Sequence, residues 1–285
     1  MTGILNLDKP EGWTSHDAVA RLRRLLGERR IGHGGTLDPM ATGVLPVFVG
    51  RATRAVEFLE AADKEYEAGL RLGIVTDTQD TTGTVLEERP VNVTEDALRA
   101  AVLGLVGERD QLPPMYSAVK VGGKALYAYA RSGKTVERKS RRITVWRAEP
   151  LGWAGEEYRF RVTCSKGTYI RTLCHDLGQT LGCGGAMSSL RRLRAGPFRL
   201  EDAVTLSRVE ERGEACLLPL DSLFADCPAM SLNEGQTRRV LCGNDFSAEG
   251  EAGRYRLYGP DGSFLALAAL EAGRVRIIKS FFEVC

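Results

Sequence analysis

Two extended segments, ITVWRAEPLGW (143–153) and EYRFRVTCSKG (157–167), are separated by only three residues. A link that short closes an antiparallel hairpin, because a parallel return needs a crossover of a dozen residues or more. The second segment alternates Tyr158, Phe160, Val162 and Cys164, the period of a half-buried strand. LPPMYSAVKVGGKALY reads as another hairpin, turned at Gly122-Gly123. GILNLDKP (3–10) reads as a strand ending at proline, LPVFVG (45–50) as a buried strand, and KEYEAGLRLG (64–73) as a strand with Tyr66, Ala68, Leu70 and Leu72 on one face.

Helical signals lie between these strands. TSHDAVARLRRLLG combines a Thr14/Asp17 capping box, an apolar stripe of Val19, Leu22, Leu25 and Leu26, and a stop at Gly27. RATRAVEFLEAA (51–62), TEDALRAAVLGLVG (94–107) and TYIRTLCHDLGQTLG (168–182) read as further helices, and TDTQDTTG (76–83) as a polar loop. The expected fold class is therefore α+β: a mixed, mostly antiparallel sheet flanked by helices, not a doubly wound parallel one. The texture changes around residues 220–230. From Met230 onward, RYRLYG, FLALAAL and RVRIIKSFF alternate with glycine-rich turns, which predicts a small β-rich module. The expected division is 1–225 and 229–285.

With 43% apolar and 27% charged residues, the 285-residue chain has the composition of an ordinary globular protein. No apolar run reaches membrane-spanning length and no signal-peptide pattern opens the chain, so a cytoplasmic protein without membrane contact is expected. The seven cysteines, Cys285 among them, form no CxxC pair, which predicts reduced, partly buried thiols and no zinc site. Net charge is only +2, but 31 of the 39 basic residues are arginine, a ratio that arginine-favouring codons explain equally well. Basic residues cluster at 21–30, at 131–147 and at Arg191, Arg192, Arg194 and Arg199, the pattern of a footprint for a polyanion.

The chemistry concentrates in GHGGTLDPMATG (32–43), where one carboxylate, Asp38, sits among glycines, threonines and Pro39. Glycine opens backbone angles closed to other residues, and Pro39 drives Asp38 towards an extended conformation. The segment reads as a sharply shaped loop that presents Asp38, its threonines able to satisfy backbone groups; an ordinary Asp-Pro turn is the alternative. There is no HExxH, no P-loop, no convincing GxGxxG and no nucleophile elbow. A lone carboxylate with arginine clusters suits chemistry on a nucleotide that needs neither metal nor cofactor.

GHGGTLDPMATGVLP resembles the catalytic motif of the TruB family of tRNA pseudouridine synthases. So do LDKPEGWTSHD, DKEYEAGLRLG, LPPMYSAVKVGGKALYAYAR, CSKGTYIRTLCHDLG and LRRLRAGPF, in the family's order over roughly residues 3–200. The chain departs from the commonest form at Gly34, where many members carry threonine. The resemblance implies the pseudouridine synthase fold and isomerisation of uridine 55 in the T arm of tRNA, with the base flipped into a pocket and Asp38 as the catalytic aspartate. It implies substrate-binding roles for His33 beside the flipped nucleotide, Tyr66 stacked on the base, Arg171 paired with Asp38, Lys9 with Pro10 as support, and Leu190 as a pocket wall. Read without the family, His33 bonds loop backbone, Tyr66 is an inward strand residue, Arg171 a surface charge and Leu190 a core residue. The tail is similar to a PUA-type RNA-binding module. A monomer acting on tRNA with no obligatory protein or guide-RNA partner is expected. An RNA-guided synthase, a base-excising hydrolase and a non-catalytic RNA-binding protein are the rivals.

Overall fold

The structure, a computed structural model, describes residues 1–282; the expectations for Cys285 and for the last three positions of the tail module fall outside those residues. A nine-stranded sheet forms the body. Its strands are β1 (Gly3–Lys9), β2 (Ile31–His33), β3 (Thr42–Val49), β4 (Lys64–Leu72), β5 (Gly107–Gln111), β6 (Arg141–Ala154), β7 (Glu157–Cys164), β8 (Gly185–Ala195) and β9 (Phe198–Arg199). The order across the sheet is β1-β3-β8-β4-β7-β6-β5, with β2 also on β3 and β9 also on β8. Every pairing is antiparallel except β3 with β8. The fold class is thus α+β with a mostly antiparallel sheet, as the short hairpin links require.

Three helices position the site: α1 (Ser15–Leu26), α2 (Glu95–Leu103) and α3 (Ile170–Thr180). The Thr14/Asp17 capping box starts α1, and Gly27, at φ 65°, ends it. Its buried face, Ala18, Val19, Leu22 and Leu26, joins the main core with Leu5, Leu7, Val47, Leu70 and Phe160. Helix α3 lies close on β8 because residue 178 is glycine: a Cβ there would stand 2.1 Å from the backbone nitrogen of Gly185.

A second sheet takes the C-terminal part. Its strands are β10 (Ala229–Ser231), β11 (Phe246–Ser247), β12 (Gly253–Tyr258), β13 (Phe264–Glu271) and β14 (Arg274–Ser280), in the order β10-β12-β13-β14-β11. It also carries a helix that the strand-like texture of the tail did not foretell, α4 (Glu234–Leu241), opened by an Asn233/Gln236 capping box and burying only Val240. Leu232, Val240, Phe246, Leu257 and Leu270 form this sheet's own core. Leu267 and Phe281 instead join Phe48, Leu59 and Phe224 in a cluster that fastens the two sheets together. The six described cysteines are free, four of them buried. Among the described residues, no helix is long and apolar enough to cross a membrane.

Candidate active site

The Asp38 loop joins β2 to β3 and is tied down from outside. Ser15, at the start of α1, accepts from the Leu37 amide at 2.9 Å and donates to the Leu37 carbonyl at 3.1 Å. Gly12 donates its amide to the Pro39 carbonyl at 2.8 Å. The loop's own threonines do not do this work, contrary to the sequence reading: Thr36 faces solvent, and the Thr42 hydroxyl accepts from Arg191. Gly43, at φ 98°, is obligatory, since a Cβ there would stand 2.3 Å from the Arg192 carbonyl oxygen.

Lys9 is fully buried, and its ammonium donates to the carbonyls of Trp13 (2.6 Å), Pro10 (2.8 Å) and Pro39 (3.3 Å). One cation thus binds the turn after β1 to the residue that follows Asp38. Burial lowers its pKa to about 8, against the opposing pull of Asp38.

Asp38 keeps about a third of its side chain open (34%), whereas its partner Arg171 is nearly closed off (7%). Arg171 Nε stands 3.0 Å from Asp38 Oδ2, and Nη2 donates to Oδ1 at 3.3 Å. Arg171 is no surface charge. It sits in the first turn of α3 and also donates to the carbonyls of Tyr116 (2.8 Å) and Thr78 (3.1 Å), with Asp80 at 3.8 Å. Burial raises the pKa of Asp38 and Arg171 opposes that rise; the two N–H donors favour the ionised carboxylate.

Tyr66 is buried on β4, directly opposite Arg192 of β8, and its phenol is pushed up by burial with Arg192 opposing. Leu190 lies on the same stretch of β8, opposite Ala68, in one core cluster with Tyr66. His33 is half-buried at the end of β2; burial, aided by the charges of Arg192 and His16, lowers its pKa and keeps it neutral. Its Nδ1 is buried without a hydrogen-bond partner. The structure therefore joins Asp38 directly to Arg171 and, through Pro39, to Lys9. Tyr66 instead stands in register with Arg192, whose charge also reaches His33. A cavity of about 590 Å³ lies beside the cluster, walled by Asp8, Lys9, Trp13, Arg21, Thr42 and Arg191; Asp38 does not line it.

Two residues of this assembly escaped the sequence reading. Asp80, in the segment read only as a polar loop, is 5% exposed and is held by the hydroxyls of Thr78 (2.8 Å) and Thr82 (2.6 Å). Its signal was a carboxylate spaced between threonines, a set that folds back on itself. Arg192 was grouped with a surface basic cluster, and that grouping needs correction: it is 1% exposed, while Arg191 pairs with Asp8 and Arg194 with Glu65. Alternation from Leu190 puts residue 192 on the inward face, a signal obscured by irregular register on both sides, at Met187/Ser189 and Arg192/Arg194.

Comparison with known proteins gives a consistent result. Residues 23–170 match the N-terminal domain of TruB family pseudouridylate synthases, and 171–225 the tRNA pseudouridylate synthase B C-terminal domain. The tRNA pseudouridine synthase B of Aromatoleum aromaticum (strain DSM 19018 / LMG 30748 / EbN1) is 49% identical over 93% of this chain and 87% of its own. That of Thermobifida fusca (strain YX) is 47% identical over 98% of both chains. Among solved structures, a Cbf5-Nop10-Gar1 complex matches with a TM-score of 0.75 at 29% identity, covering 99% of this chain and 85% of the other. An H/ACA RNP bound to a substrate RNA containing 2'-deoxyuridine matches at 0.74 and 27%, covering 99% and 86%. By sequence and by fold, the chain belongs to the TruB family of tRNA pseudouridine synthases.

Proposed function

We propose that this protein isomerises uridine 55 in the T arm of tRNA to pseudouridine, with Asp38 as the catalytic carboxylate. Conversion of uridine to pseudouridine in tRNA is the reaction of its family; the target position and the residue roles are the finer reading. The observation that carries it is the Asp38–Arg171 pair, a carboxylate held on both oxygens yet one-third open. Such a group can meet a nucleotide in its ionised form without turning away from it.

The reaction breaks the bond between N1 and C1′, turns the base and joins C5 to C1′; C5 loses its proton and N1 regains one. No atom is gained or lost overall. The uridine must first leave its stack, which costs a few kcal/mol. Tyr66 offers a ring face to the base, Leu190 an apolar wall, and His33 a neutral polar edge. Arg171 orients the carboxylate, and Lys9 holds the backbone that follows it. We assign residues 1–225 to the catalytic unit and 229–285 to a PUA-like RNA-binding unit, and infer a cytoplasmic monomer. The similar Cbf5 structure is a complex with Nop10 and Gar1; the relatives named tRNA pseudouridine synthase B are more similar in sequence, at 47% and 49% identity against 29%, which favours action without a partner or guide RNA.

The test is tritium release from carbon-5-labelled uridine in a T-arm stem-loop. Asp38→Asn is expected to lower the rate on the order of 10⁴-fold or more with affinity for the stem-loop retained. Undiminished product from that variant would refute the assignment. Purified protein incubated with unmodified tRNA alone tests independence from partners.

A further inference from the structure

Arg192 is a buried cation without a counter-ion: it is 1% exposed, and among the described residues no carboxylate lies within ion-pair distance of it. Desolvating a lone charge costs several kcal/mol, which a carboxylate partner ordinarily offsets. Here the guanidinium turns to backbone instead. Nε donates to the Val44 carbonyl at 2.6 Å and Nη2 to the Gly35 carbonyl at 3.0 Å. These acceptors flank the Asp38 loop on either side. Nη1 lies 3.4 Å from where a Cβ on Gly35 would stand, so the loop closes tightly over the fork. Across the sheet, Tyr66 is the residue in register with Arg192, so the two buried side chains are cross-strand neighbours. One planar group therefore holds both margins of the Asp38 loop and stands beside the ring expected to stack on the base.

We propose that Arg192 is a positioning residue for the isomerisation: its rigid fork fixes the Tyr66 ring against the Asp38 loop, so that stacking face and carboxylate keep one separation when a nucleotide enters. This rests on the reading that Tyr66 and Asp38 serve the same flipped uridine. A lysine cannot replace the fork, because a single ammonium on a flexible stem lacks the planar array that reaches two carbonyls in fixed directions while facing the ring. Small misplacements of reacting groups are costly in rate while leaving binding of the remaining RNA intact. The desolvated charge is retained, on this account, because geometry between two elements of the sheet depends on it.

Two measurements test the proposal. In the stem-loop assay, Arg192→Lys is expected to lower kcat by about ten- to a hundredfold while KM changes by less than about threefold. In a Tyr66→Phe background the same substitution should lower kcat by less than about threefold, because the phenol it would misplace is already gone. Losses that multiply in the double variant would overturn the proposal. The second measurement needs no change at Arg192. In protein labelled with ¹⁵N-arginine, Tyr66→Phe should shift one slowly rotating guanidinium and speed rotation about its Cζ–Nη bonds. An unchanged arginine spectrum would also overturn it, and this readout decides the matter if Arg192→Lys does not fold. It is independent of catalysis, so a wild-type protein that makes no pseudouridine would refute the parent reading without touching this contact.

Discussion

The two sheets bury different things. Under the large sheet, Lys9, Lys64, Asp80, Arg171 and Arg192 are all less than a tenth exposed. Among the described residues of the C-terminal sheet, the buried positions are aliphatic or aromatic throughout. Desolvated charge weakens a fold unless each group is matched, so its confinement to one sheet separates the part built to hold a reactive arrangement from the part built to hold itself. Lys9, Lys64 and Arg192 are matched by carbonyl oxygens, and Arg171 by carbonyls and the carboxylate of Asp38. Lys64, for example, donates to the carbonyls of Leu59, Glu60 and Ala62 at 2.6 to 3.1 Å.

The sharpest way to break this contrast is Arg171→Met. It leaves both oxygens of Asp38 and two carbonyls without their donor and removes the ion-pair partner of Asp80, and is expected to cost about 3 kcal/mol or more in urea unfolding, with isomerisation lost as well. Leu257→Ala acts on the other side. It opens a cavity in the all-apolar core and is expected to cost about 3 kcal/mol in the same measurement, yet turnover of an isolated T-arm stem-loop should stay within about twofold, since the change lies outside the supports of the Asp38 loop.

The buried lysines predict a pH effect confined to the large sheet. Burial lowers the pKa values of Lys9 and Lys64 to about 8 from 10.5. Between those values the unfolded chain holds protons that the folded chain has released, so their contribution to stability rises with pH from about 8 to 10.5 and is flat below. Urea titrations at neutral and alkaline pH should show a slope that Lys9→Met and Lys64→Met each reduce by about 1–3 kcal/mol. Lys9→Met should in addition lower kcat at neutral pH by freeing the Pro39 carbonyl. The smallest effect should be the same in both regions: Thr14→Ala and Asn233→Ala each remove a capping box and should each cost about 1 kcal/mol in thermal unfolding. Unequal values there would mean that even local rules differ between the two halves.

These contrasts also mark what could be read before folding. Local signals carried far: short links fixed the antiparallel pairing, the Thr14/Asp17 box fixed the start of α1, and alternation turned Tyr66 inward. Alternation would equally have turned Lys64 inward, since it shares that face, but a lysine at a strand end reads as solvent-exposed until its carbonyl partners are known. The site itself is assembled from loops whose partners are distant in sequence. Resemblance to a family supplied Asp38, Tyr66 and Arg171. It left out Asp80, whose importance depends on a helix some 90 residues later. Helix α4 was missed because it buries a single residue and so writes almost no apolar stripe.

The parallel joint between β3 and β8 sets Thr42 beside Arg191, and the contacts of Arg192 and Arg171 with the Asp38 loop span 133 to 157 residues of chain. Closing loops of that length is slow, and the two carbonyl contacts of Arg192 form only once β8 is made. A nascent chain emerging from the ribosome would therefore carry Asp38, its loop already within reach of Lys9 and Ser15, long before it carried the arginine that pairs with it. The enzyme is born inert and becomes competent only when a late strand of its large sheet slots into the middle.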